Sequence, residues 1–494
     1  MQNVIRSIKN TFYFDTRSLA LTRISLAILI IADISYRAFD LEAHYTDLGI
    51  LPREALLKLN WQEWFVSVHL MSGNYYVQAA LFILAGLFAF SLMAGYKTRF
   101  STIASWFLMI SLHNRNPLIL QGGDVLLRCL LFWGIFIPWE NRFSIDSIRS
   151  GTVEDHTSNI FSPGALAFTI QIAIMYVCTA LLKTGREWHH DYSAIYYVLS
   201  LDQFRILMGD FIYAHPLLMK LLTFMTYWTE LFGSILFFIP YKTAFFRTIG
   251  IALFFLFQTG LLMTLRVGLF PLIAISCLFI LIPSFFWEYF RNLSNFLEIG
   301  ITKLHVIMDK VSLFDTREQT DTPSKYYTYV KYCLLLFFLC FVLYWNLCTA
   351  TNLMKLSSKA VWLGHLLRID QKWDMFSPRP FVDDGWFIIP GKLRDGKTID
   401  VYRNGKAVSW DKPENAFSDY RTYRWRKYMR KLWLRAYSDN RLYYGQYLCR
   451  KWNRDHSYEK NLMTFNIYYM EEKTLANYKT AKIQKFHLWE HRCF

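Results

Sequence analysis

Apolar residues in this chain gather in continuous runs of about twenty rather than in one-sided stripes, and a run of that length is what an α-helix needs to cross the hydrocarbon of a bilayer. The pattern predicts a polytopic α-helical membrane bundle. Composition agrees, with 54% of the 494 residues hydrophobic and 18% aromatic. Runs near 18–38, 76–95, 101–120, 122–139, 163–183, 217–240, 245–264, 267–287 and 330–349 predict about nine transmembrane helices. The third and fourth are interrupted by His113-Asn-Arg-Asn-Pro117 and Gln121-Gly-Gly-Asp124, which break a helix or turn it back to line a cavity.

The bundle is expected over 1–350 and a second domain over 351–494. Basic residues in short loops (Arg6, Lys9, Lys97, Arg99, Arg142, Arg149, Lys242, Arg247 and a cluster from Arg291 to Lys331) predict a cytoplasmic N-terminus by the positive-inside rule. An odd number of spans then puts the C-terminal domain on the extracytoplasmic side. That domain carries much of the +16 net charge, and on a membrane chain such a balance points to anionic headgroups or an acidic partner rather than to nucleic acid. Its residues 386–410 read as short strands with hairpin turns at Asp395-Gly396 and Asn404-Gly405. Residues 419–455 read as a basic, aromatic helical stretch suited to lie along headgroups. Residues 462–469 and 483–489 read as strands again, so the domain is expected to be β-rich, mixed α+β. Six of the eight cysteines fall inside apolar runs; Cys449 and Cys493 lie in the polar tail, where a disulfide between them is open.

Several ionisable residues sit at membrane depth, where an unpaired charge costs several kcal/mol and so calls for a partner or a function. Arg23, Asp33 and Arg37 lie in the first run, and the last two, four apart on one helix face, are spaced to pair. Glu230 stands alone in another run. Lys183 ends the fifth. An amine with a reference pKa near 10.4 becomes a usable base when an apolar site strips its water, whereas a lysine at the end of a span also commonly snorkels to the headgroups. His44 and Asp47 fall on the same predicted side as Lys183 and can line one chamber with it, or simply belong to a self-bonded loop. Adjacent His189 and His190 point about 100° apart on a helix and do not converge on one ion, so no metal is expected.

The blocks Asp15-Thr-Arg-Ser-Leu-Ala-Leu-Thr-Arg23, His44-Tyr-Thr-Asp-Leu-Gly-Ile-Leu-Pro52, Asn116 to Trp133, Val267-Gly-Leu-Phe-Pro271 and Trp373-Asp-Met-Phe-Ser-Pro-Arg-Pro380 resemble the horizontally transferred transmembrane domain family. Its best-known members are the vitamin K-dependent gamma-glutamyl carboxylases, and the likeness spans roughly residues 12 to 410, of bacterial type. The resemblance implies an inner-membrane protein with a periplasmic C-terminal domain, acting with reduced vitamin K (the hydroquinone), carbon dioxide and oxygen on a glutamate-containing peptide or protein. It implies Lys183 as the base, five residues before Trp188 as in the carboxylases, with Arg23, His44, Asn116, Trp188 and Gln258 as substrate- or cofactor-binding residues. Gln258 stands where related sequences tend to have histidine. The alternative is a non-catalytic membrane scaffold or a lipid- or partner-binding protein of the same family. Membrane lipids are expected partners in either case.

Overall fold

The computed structural model describes residues 11–150, 159–311, 325–351, 353–414 and 417–494, so Arg6 and Lys9 lie outside the described residues. Five described helices are long and apolar enough to cross a membrane: Thr16–Ala38, Tyr75–Ala94, Pro163–Leu182, Thr243–Thr264 and Thr328–Ala350. The chain therefore reads as a helical membrane protein, with five such helices in place of the nine runs. The other runs are cut short by their own sequence. Asn116-Pro117 and Gln121 divide the third and fourth into Thr98–Arg115, a turn at Pro117–Ile119, and Gly122–Gly134. Proline has no amide hydrogen to continue the ladder, and Asn116 instead caps the turn by accepting from Leu118 N at 3.2 Å. Gly233 ends the Pro216–Phe232 helix in the sixth run, and the eighth shrinks to Phe270–Leu278.

The first and fifth runs form the centre. Their apolar windows are 61% and 67% buried, against 22–33% for the other three long helices, whose outward faces carry Ile83, Leu87, Leu256, Leu336 and Phe337 exposed. An apolar surface of that kind suits lipid rather than water. Strands β1 (Tyr13–Asp15) and β2 (Asn159–Phe161) pair antiparallel immediately before the two central helices, so both helices start at the same end of the bundle. Position along each helix can then be compared directly at 1.5 Å per residue.

The C-terminal region is built on a five-stranded antiparallel sheet. Its long strand β6 (Leu462–Lys473) pairs β3 (Asp383–Ile388) and β4 (Pro390–Leu393) along one edge and β7 (Gln484–Arg492) along the other, with β5 (Thr398–Asp400) outside β4. Both expected turns form. Gly396 takes φ +85° between β4 and β5, and Asn404 and Gly405 take φ +53° and +80°, the left-handed pair that a tight hairpin turn requires. The basic stretch folds into helices Tyr423–Trp433 and Asn440–Asp455, but the first of these does not lie along headgroups. Tyr423, Arg424, Trp425, Arg426, Tyr428, Met429 and Leu432 are all buried, and the helix packs on the Pro117–Ile119 turn of the bundle.

Cys449 and Cys493 form a disulfide that ties the Asn440–Asp455 helix to the chain just past β7 across 44 residues. A loop of that size corresponds to ~4 kcal/mol of unfolded-state entropy in the chain-entropy treatment. Cys449→Ser is expected to lower the thermal midpoint of the purified protein accordingly, and wild type treated with reductant should move to the same value. A variant that melts with wild type under oxidising conditions would show that the crosslink contributes nothing.

The sheet meets the bundle through Asp384, which accepts from Asp202 N at 2.7 Å and Gln203 Nε2 at 3.1 Å. Burial first, and then the neighbouring Asp202 carboxylate, push the Asp384 carboxyl up to about 6. A carboxyl raised in the folded state binds its proton more tightly there than in the unfolded chain. Its contribution to stability is therefore full below about pH 4 and is lost as pH rises toward 6, by up to about 3 kcal/mol. Asp384→Asn should flatten the difference between thermal midpoints at pH 4.5 and pH 7 relative to wild type.

Candidate functional site

Lys183 terminates the central Pro163–Leu182 helix, its amide bonded back to Ala180 O at 3.0 Å. Its side chain does not reach outward. It is 2% exposed, and Nζ donates to Oε2 of Glu230, itself 4% exposed, on the Pro216–Phe232 helix. After Thr184-Gly185 the chain turns into the short Arg186–His189 helix, which brings the Trp188 ring to 4.2 Å from Nζ. The His189 ring bonds the Lys183 carbonyl through Nε2 and packs on Tyr227 at 4.4 Å. Taking two charges out of water costs several kcal/mol per ion, an expense met only by close pairing; here the pair is direct and the ring face adds a second attraction for the cation.

The segment containing Trp373 to Pro380 closes this pair off. Trp188 Nε1 donates to Phe376 O at 3.2 Å and Gly185 N to Pro378 O at 2.8 Å. A side chain at Gly185 would meet Arg379 Cβ and Pro378 O at 2.9 Å, so the two segments can touch only because residue 185 lacks one. The segment is held in turn by Gln371, which exchanges amide bonds with Gln171 at 2.7 and 3.2 Å and accepts from Trp373 Nε1 at 3.0 Å. Two helical turns before Lys183, on the same face, Tyr176 accepts from Gln258 Nε2 at 2.9 Å. Gln258 Oε1 is buried without a partner among the described residues.

A second buried cluster occupies the same end of the bundle. Arg37 donates to Asp33 Oδ2 at 2.7 Å, Asp124 Oδ1 at 2.6 Å and Tyr45 OH at 2.6 Å. Arg424, from the C-terminal region, bonds Asp33 Oδ1 and reaches both oxygens of Asp124 at 3.1 and 3.3 Å. Two carboxylates and two guanidinium groups thus close a neutral square. Asp33, His113 and Asp124 are near enough to one another for a metal ion. The guanidinium groups of Arg37 and Arg424 already stand where such an ion would take its charge balance, and the donor set reads as an ion-pair network.

His44 and Asn116 lie against that network. Asn116 Nδ2 donates to His44 O at 2.9 Å, and the His44 ring packs on Trp425 at 4.8 Å with neither nitrogen partnered among the described residues. Burial, then Arg424 and Arg37, push His44 down to about 3, which keeps it neutral. Arg23 is elsewhere. It is buried near the start of the first helix, donating to the carbonyls of Trp139 at 3.2 Å and Phe143, which puts it ~20 Å along the bundle from Lys183. Of the residues expected around Lys183, Trp188 meets it, Gln258 lies behind it through Tyr176, His44 and Asn116 join the other cluster, and Arg23 joins neither.

Glu230 and Arg424 are the partners that sequence reasoning left unassigned. A lone acid and a lone base in separate apolar runs are a pairing signal in themselves. Asp33 and Asp124 against Arg37 leave one carboxylate over, but nothing local selects Arg424 among the basic residues of its stretch. Compared with known protein families, with curated proteins and with solved structures, the chain finds no match.

Proposed function

We propose that this is an inner-membrane enzyme of the vitamin K-dependent carboxylase type, with the buried Lys183–Glu230 pair as its proton-transfer unit and its C-terminal domain on the extracytoplasmic side. The single observation that carries the reading is that an amine and a carboxylate share one hydrogen bond away from water, beside an aromatic ring. Removal from water disfavours the charged form of each partner, so moving one proton from Lys183 Nζ to Glu230 Oε2 leaves a neutral amine at little electrostatic cost. That amine can take a proton from a phenolic hydroxyl presented to it, and Trp188 and the segment over it keep water away.

The surroundings fit a lipid-soluble reductant. Leu181, Trp228 and Phe232, on the two helices that supply the pair, are exposed on the apolar surface and offer a prenyl tail a route from lipid. When bound, reduced vitamin K would be oxygenated by dioxygen, and that oxidation would supply the strong base that removes a glutamate γ-proton, with carbon dioxide taken up in its place. The Cys449–Cys493 disulfide supports an oxidising compartment for the C-terminal domain.

A second reading has its own observation: a lysine already paired also serves as a lock between two helices, as a non-catalytic scaffold would use it. Incorporation of labelled carbon dioxide into a glutamate-containing peptide by the purified protein, with and without reduced vitamin K, separates the two. Vitamin K-dependent incorporation that Lys183→Ala abolishes is the expected result. No incorporation by folded wild type, or full incorporation by the variant, sinks the enzyme reading.

A further inference from the structure

The buried helix Tyr423–Trp433 carries Arg424 into the bundle, and four more cations follow it: Arg426, Lys427, Arg430 and Lys431. Helical spacing puts Lys427, Arg430 and Lys431 on one face, and like charges three and four residues apart repel. None of these four makes an ion pair among the described residues. Arg426 is satisfied by the carbonyls of Gln203 and Arg266, both at 3.1 Å, and Lys431 by Pro117 O at 3.1 Å. The side chains of Lys427 and Arg430 have no hydrogen bond among the described residues, and Arg430 lies over the Phe381 ring at 3.4 Å. Both are partly accessible.

Two of the three acids around them are engaged elsewhere. Asp374, the one that attracts Lys427, pairs with Lys372 at 3.1 Å, and Asp384 is bonded to the bundle; Asp383 attracts Arg430 but forms no ion pair with it. Burial and the neighbouring cations pull Lys427 down to about 8, and burial alone does the same to Lys431. An uncompensated cluster of this kind is unfavourable in the absence of a counter-charge. Each open donor is of the type that binds carboxylate and phosphate oxygens most strongly.

We propose that Lys427 and Arg430, flanked by Lys431, form a binding site for an oxyanion, a carboxylate or phosphate group, where the Tyr423–Trp433 helix faces the 374–381 segment. The segment facing them is the one that closes over Lys183 from its other side, yet the inference does not rest on any reaction there.

The test uses the full chain purified in uncharged detergent, titrated with inorganic phosphate or acetate at constant ionic strength with chloride as reference. Saturable binding is expected by calorimetry, with a raised thermal midpoint. Lys427→Met and Arg430→Gln should each weaken binding roughly tenfold or more, the loss of one charge-assisted hydrogen bond. Each should also raise the midpoint of the anion-free protein, because one repelling charge is gone, and this gain is what a merely structural cation would not give. The double variant Lys183→Met/Glu230→Gln, which leaves no buried charge unpaired, should bind the anion as wild type does, which keeps this test separate from that of the enzyme reading. In nanodiscs, weaker phosphate binding with phosphatidylglycerol than with phosphatidylcholine, abolished by Arg430→Gln, assigns the oxyanion to a lipid headgroup; equal binding assigns it to a free anion. No saturable effect beyond chloride, or wild-type affinity in both variants, overturns the site.

Discussion

Arg424→Met is expected to destabilise the protein by ~3–5 kcal/mol, the usual consequence of removing one member of a buried, hydrogen-bonded charge network. Its guanidinium contacts Asp33 and both oxygens of Asp124, and all three side chains are buried. Without it, Arg37 alone faces two carboxylates, and one negative charge is left in a site that water does not reach. The same contacts fasten the C-terminal region to the first helix, so the loss should also appear as faster proteolysis between the bundle and that region. Arg424→Lys keeps the charge but not the planar fork that spans two acids, and should fall between wild type and Arg424→Met. Adding Asp124→Asn to Arg424→Met restores neutrality and should recover part of the loss, giving a non-additive double-mutant cycle. A thermal midpoint for Arg424→Met equal to that of wild type would remove the square from any account of how the two regions hold together.

How far the sequence disclosed this arrangement depended on whether each signal was local. The hairpin turns at Asp395-Gly396 and Asn404-Gly405 are backbone properties of two residues, and they formed as read. The pairing of Asp33 with Arg37 follows from helical spacing alone. Span number failed where proline and glycine cut apolar runs short, since a window average of hydrophobicity does not see a missing amide hydrogen, and where the helix that forms is long enough but too polar, as Thr98–Arg115 is with Arg99, His113, Asn114 and Arg115. The Tyr423–Trp433 helix misled for a different reason. Its mixture of Arg, Lys, Trp and Tyr suits a headgroup layer and a buried polar interface equally, and what distinguishes them is the carboxylates supplied by residues 300 and more positions away. Membership of the two clusters was illegible for the same reason. Arg23 and Arg37 look alike in sequence, yet fourteen residues of helix carry them to opposite ends of the bundle.

Lys183→Met should destabilise the protein by several kcal/mol, because it leaves the Glu230 carboxylate buried with no cation beside it. This alters how the proposed base must be tested. A single substitution at Lys183 that abolishes activity says nothing by itself if the variant is also misfolded, and the structure makes that outcome expected rather than incidental. Glu230→Gln alone leaves the ammonium buried against Trp188 and should cost a similar amount, reduced by the attraction of the ring. The double variant Lys183→Met/Glu230→Gln carries no buried charge, and its thermal midpoint should return most of the way to that of wild type. Activity separates the readings at this point. If Lys183 Nζ is the proton-transfer group, the double variant is stable and inactive in labelled carbon dioxide incorporation. If the pair only locks two helices together, the double variant regains whatever activity the wild type has along with its stability. Stability without activity in the double variant is therefore the pattern that chemistry at Lys183 demands and that a structural lock does not produce.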